Sequence, residues 1–96
     1  MRNLFLVAYD IAHPKRLRKV FKKMQGYGTH LQYSVFTCEL SPVEKARMVA
    51  DLHRLIHHEE DRILIANLGP ADGRGRRSFQ FLGRSTPPPE PGPAIL

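Results

Sequence analysis

Residues 2–10, RNLFLVAYD, followed at once by IAHPKRLRKVFKKMQG over 11–26, decide the fold. In the first segment apolar and aromatic residues fill both alternating sets, the pattern of a strand covered on one face and packed against a neighbour on the other. A central strand ending at Asp10 is predicted. Pro14 suits the first turn of a helix, and Leu17, Val20, Phe21 and Met24 then recur at helical spacing until Gly26. The other face of that helix carries Lys15, Arg16, Arg18, Lys19, Lys22 and Lys23.

Outward from this βα unit the chain continues with THLQYSVFTCEL over 29–40, opened by Gly28 and rich in β-branched and aromatic residues. It reads as two short strands meeting near Tyr33. Ser41-Pro42-Val43-Glu44 is a capping-box pattern with proline at the first helical position. The helix it starts has an apolar face of Met48, Val49, Leu52, Leu55 and Ile56. DRILIANL over 61–68 is a further strand, so the order is βαββαβ. GPADGRGRR over 69–77 is a basic connector, and SFQFL over 78–82 is expected to add a short strand, able in a dimer to cross to the partner's sheet.

The reading is therefore one α+β domain over 1–83 and a tail over 84–96. Five of the eight prolines fall in TPPPEPGPAIL, which removes amide donors and favours an extended, mobile segment. With 42% hydrophobic residues in 96 and no apolar run near the roughly 20 residues of a membrane span, a membrane protein is not expected. A chain this short buries only about 60% of its unfolded surface, so pairing with a second copy is expected on size alone. Cys38 is the single cysteine, and no signal-peptide pattern opens the chain, so the expected location is a reducing cytoplasm with Cys38 as a small apolar strand residue.

The net charge of +6 is unevenly placed. Residues 1–38 hold seven Lys or Arg against one acid, Asp10, whereas residues 39–96 balance eight against eight. The excess favours a polyanion, because each neutralised phosphate releases condensed counterions. Lys15, Arg16, Arg18, Lys19, Lys22 and Lys23 are the candidate phosphate contacts, with Arg74, Arg76 and Arg77 as an extension of the same track or simply a solvated loop. His53 and His57, four apart with His58 and Asp61 following, have a spacing that can bind zinc. Nothing elsewhere supplies a clear further ligand, and a solvated helix face accounts for them.

Asp10 stands where the first strand meets the loop before the basic helix, a common address for a catalytic carboxylate. The plain alternative is that it caps the turn or pairs with Arg16. One carboxylate is a poor magnesium site by itself, because that ion takes about six oxygens, so water, substrate phosphates and a dimer mate's Asp10 would have to complete the shell.

Tyr9-Asp10-Ile11 at a strand end, the basic helix, then Gln32-Tyr33-Ser34-Val35-Phe36 and the helix start Leu40-Ser41-Pro42-Val43-Glu44 together resemble the CRISPR-associated protein 2 family. The likeness runs over about 2–68. It implies a ferredoxin-like fold, a homodimer whose two Asp10 carboxylates face each other, and magnesium-dependent cleavage of RNA or DNA as reported for some members. It also implies a scaffold role in spacer acquisition, in which the dimer bridges copies of the CRISPR integrase, CRISPR-associated protein 1, and supports duplex DNA. Tyr9 and Phe36 resemble positions implicated near the family site, with Arg16 or Arg18 stabilising charge on a phosphate and Ser34 supplying a hydrogen bond. The competing reading is a free-standing, toxin-like metal-dependent endoribonuclease acting on single-stranded RNA.

Overall fold

The computed structural model describes residues 1–84. Its elements run β1 (Asn3–Asp10), α1 (Pro14–Gln25), β2 (Thr29–Gln32), β3 (Val35–Leu40), α2 (Pro42–Leu55) and β4 (Arg62–Pro70), followed by a single 3₁₀ turn, Arg74–Arg77. The strands form one antiparallel sheet in the order β2-β3-β1-β4. Each helix thus carries the chain past one strand of the sheet, α1 over β3 and α2 over β1, the arrangement of a ferredoxin-like fold.

Both helices lie on one face. Phe5, Val7 and Tyr9 of β1 and Phe36, Cys38 and Leu40 of β3 meet Val20 and Met24 of α1 and Met48 and Leu52 of α2 in a single core. The ends of the helices are set by local chemistry. The Ser41 hydroxyl accepts from the Glu44 amide at 3.2 Å while the Glu44 carboxylate accepts from the Ser41 amide at 2.8 Å, so the capping box is formed in full. The His13 imidazole accepts from the Lys15 amide at the start of α1. Gly28 lets β2 approach β3, because a Cβ there would lie 2.2 Å from the Thr37 carbonyl oxygen.

The opposite face of the sheet carries no helix. Strand alternation assigns to it Leu4, Leu6, Ala8 and Asp10 of β1, Val35, Thr37 and Glu39 of β3, and Arg62, Leu64 and Ala66 of β4, whose register places Ala8 opposite Leu64 and Asp10 opposite Arg62. Leu64 is 60% exposed. Beyond β4 the chain folds back onto one end of this face: Gly75 packs against Leu68, and the Arg76 guanidinium reaches the Glu39 carboxylate and the Ala71 carbonyl.

Two expectations are corrected. Within the single described chain residues 78–82 form no strand; Ser78 instead closes the 3₁₀ turn through its amide and hydroxyl. The last strand starts at Arg62 and extends to Pro70, because Asp61 is turned inward as an anchor and no longer belongs to the ladder. Residues 85–96, most of the expected tail, lie outside the described residues.

Candidate active site and nucleic-acid interface

β1 delivers Asp10 to the edge of the uncovered face with its side chain 77% exposed. Its only ionic neighbour among the described residues is Arg62, across the β1–β4 ladder at 3.9 Å, and Arg62 is itself 87% exposed. Two such solvated groups at that separation interact weakly. The carboxylate is therefore available to an incoming cation. A shallow depression of about 350 Å³ beside it is lined by Ala8, Tyr9, Asp10, Arg62, Ile63 and Leu64.

Arg16 does not pair with Asp10. Its Nε donates to Asp61 at 2.8 Å and its Nη2 to Glu60 at 2.9 Å. The Asp61 side chain is fully buried, and it also accepts from the Ala12 amide at 2.9 Å and the His57 amide at 2.8 Å. These bonds, the Arg16 pair foremost, hold its carboxyl well below the usual carboxylate range. Asp61 thus ties the loop after Asp10, the first turns of α1 and the end of α2 into one unit. Sequence reasoning grouped it with the histidines; an acid opening an apolar strand gives no sign that its side chain will turn inward.

Tyr9 and Phe36 are core residues. Phe36 has no exposed surface, and its ring meets those of Tyr9, Phe21 and His30 at centroid distances of 6.3, 5.5 and 5.1 Å. Tyr9 is 7% exposed, and burial pushes its hydroxyl up to about 12 despite a hydrogen bond to Ser34. It stays protonated at neutral pH. Cys38 is also fully buried, its thiol pushed up to about 12 by desolvation. Of the histidines, His53 and His58 pack ring against ring at 4.3 Å, while Asp61 is committed to backbone and Arg16. No group of three or more His, Cys, Asp or Glu side chains is placed to hold a metal among the described residues.

The charge excess resolves onto one helix. Of the seven cations in residues 1–38, Arg2 is paired with Glu39 and Glu44, and Arg16 with Asp61 and Glu60. Lys15, Arg18, Lys19, Lys22 and Lys23 make no salt bridge among the described residues and are exposed along α1. Arg74, Arg76 and Arg77 do not continue this track within one chain. They sit on the uncovered side of the sheet near Leu4 and Leu68, about 20 Å along β1 from Asp10, and Arg76 is already paired.

This layout, a ferredoxin-like unit with an exposed acid ending β1 and an unpaired basic helix after it, matches known proteins. The family described as CRISPR associated protein Cas2 matches residues 3–74. The chain belongs to the Cas2 family. It is 43% identical over 72 residues to a CRISPR-associated endoribonuclease Cas2 of Geobacter sulfurreducens, covering 75% of this chain and 76% of that one. It is 50% identical over 70 residues to CRISPR-associated endoribonuclease Cas2 1 of Rhodospirillum rubrum, covering 73% and 69%. Among solved structures, Cas2 of Streptococcus pyogenes superposes with a TM-score of 0.74 at 34% identity over 83% of this chain and 99% of that one. A hypothetical protein of Thermus thermophilus superposes at 0.76 with 30% identity, over 94% and 100%. As a Cas2 family member the chain has a CRISPR role. No helix of the described residues is long and apolar enough to cross a membrane.

Proposed function

We propose that this Cas2-family chain works as a homodimer in CRISPR adaptation, holding duplex DNA and the CRISPR integrase, and that its Asp10 pair forms a magnesium-dependent phosphodiesterase centre. The observation that carries the reading is the uncovered sheet face, apolar through Leu6, Ala8, Leu64 and Ala66 and ending in the exposed carboxylate of Asp10, only loosely paired with Arg62. An exposed apolar sheet face supports self-association, and a two-fold pairing through it supplies a second Asp10. The printed names of the relatives, CRISPR-associated endoribonuclease Cas2, support the cleavage reading.

One Asp10 from each copy fits magnesium, which takes one or two carboxylates and fills its remaining positions with water and substrate phosphate oxygens. Bound there, the ion would supply Lewis-acid stabilisation of a phosphate and a more acidic water. The chain's own residues then have distinct tasks. Asp10 provides the charge that holds the cation; Arg62, across the ladder, stands near enough to steady a phosphate oxygen; Asp61 and Arg16 hold the loop that aims Asp10. The five unpaired cations of α1 bind backbone phosphates without reading bases.

The test compares wild type with Asp10→Asn and Leu64→Glu, for magnesium-dependent RNA and DNA cleavage and for spacer integration with the cognate integrase. Asp10→Asn should keep the fold and the dimer while cleavage falls by about a hundredfold or more, the scale on which removing a positioned catalytic group acts. Leu64→Glu should give monomers that neither cleave nor support integration. The proposal fails if Asp10→Asn cleaves like wild type, if Leu64→Glu stays dimeric, or if the integrase works equally well without this chain.

A further inference from the structure

Tyr33 has no role in the core, in the ion pairs or in the layout of Asp10, yet it stands out on the surface of the described residues. It is 91% exposed and is the only non-glycine residue with positive φ among the described residues, at 39°. It is the first of the two residues linking β2 to β3, between the paired Gln32 and Val35. Tight hairpins favour glycine where φ is positive, because a Cβ crowds the neighbouring peptide. A bulky aromatic there opposes local preference, and at 91% exposure the chain's own packing offsets none of that strain.

The turn is nonetheless held firmly. The Tyr33 carbonyl is 2.6 Å from His30 Nε2, and the Ser34 carbonyl accepts from the Tyr9 amide at 3.0 Å. His30 is in turn wedged between Phe21 and Phe36. The hairpin tip is thus fixed against the end of β1 next to Asp10, and the phenol ring is presented to solvent from a rigid base. The same end of the sheet carries the start of α1, with the exposed, unpaired cations Lys15 and Arg18.

We propose that Tyr33 is a base-stacking residue, which receives an unpaired nucleobase of a single strand whose backbone runs past Asp10. The inference deepens the nuclease reading above and rests on it. An aromatic face beside a phosphate-binding cation pair is the usual way of holding single-stranded nucleic acid without sequence preference, because every base offers a π face. A duplex, whose bases are already stacked, has no use for such a platform. Tyr33 therefore favours single-stranded or frayed substrate at the Asp10 centre, while α1 serves duplex and single strands alike. A second copy of this chain is the less favoured occupant, since the apolar patch centred on Leu64 and Ala8 lies on the β1–β4 side of the sheet, away from this hairpin.

The test uses full-length Tyr33→Gly and Tyr33→Phe with a short oligouridylate and with a single strand carrying 2-aminopurine, whose fluorescence falls on stacking. A duplex of the same length is the control. Tyr33→Gly should melt no lower than wild type, since glycine accepts the turn geometry. It should lose about 5- to 100-fold in single-strand affinity, the range of one stacked base, with 2-aminopurine quenching abolished and duplex binding within about twofold. Tyr33→Phe should keep both affinity and quenching. Wild type that binds single strands, with Tyr33→Gly equal to it, overturns the stacking role and leaves the nuclease reading standing. Wild type that binds neither strand overturns both. A change of oligomeric state in Tyr33→Gly assigns the residue to contact between copies and overturns the proposal.

Discussion

Replacing Phe36 by leucine separates a structural from a chemical role for the aromatic pair beside Asp10. Phe36 is fully buried and loses its ring contacts with Tyr9 at 6.3 Å and Phe21 at 5.5 Å. Each aromatic pair contributes about 0.5–1.5 kcal/mol beyond area burial, and an aliphatic replacement of lower volume adds a smaller repacking cost. The sum is about 2–3 kcal/mol. For a domain of this size 1 kcal/mol corresponds to roughly 4–8 °C in Tm, so Phe36→Leu should melt roughly 10–20 °C below wild type. Thermal unfolding by circular dichroism at equal chain concentration measures this, because dimerisation makes Tm concentration-dependent. Magnesium-dependent cleavage per folded molecule, read well below the lowered midpoint, should match wild type. A midpoint within about 2 °C of wild type together with lost cleavage would refute the argument and place the Phe36 ring in the chemistry.

Two other groups respond in predictable ways. Asp61 has a folded-state pKa held below its unfolded value near 4, so the stability it contributes is present above that pH and is lost as pH falls towards the folded value. Asp61→Asn should therefore unfold at lower urea than wild type at pH 7, and the gap should narrow as the pH is lowered below about 4; a gap independent of pH there would show that the carboxylate charge is immaterial. Cys38, buried and raised to about 12, should resist iodoacetamide at pH 8 in the folded protein and react at once in urea. Labelling of the native chain at the free-thiol rate would contradict the packing around it.

Most of the fold was legible in the sequence because its signals are local. Both-face apolarity over 2–10, the helical stripe of Val20 and Met24, the capping box at Ser41 and the break at Tyr33 depend on neighbours within a few residues, and each element formed where its pattern lies. Residues 78–82 alternate like a strand but pair with none within the described chain, since alternation measures fitness for a sheet and does not choose a partner. The position of Asp10 was legible too, as the lone acid in a basic region at the exposed end of an apolar strand.

The partners of the charges were decided only by tertiary structure. Arg16 and Arg18 are equivalent in the sequence, two apart on one basic face, but only Arg16 lies where α1 passes the start of β4, and there it pairs with Asp61. Tyr9 and Phe36 carry aromatic character that suits either a core or a site, and the side of the sheet covered by the helices assigned them to the core. Composition and spacing determined which residues form strands, helices and a net positive face. Long-range packing determined which of their charges are spent on the fold and which, Asp10 and five cations of α1, stay exposed, because an ion pair depends on separation in space and Arg16 stands 45 positions from its partner in the chain.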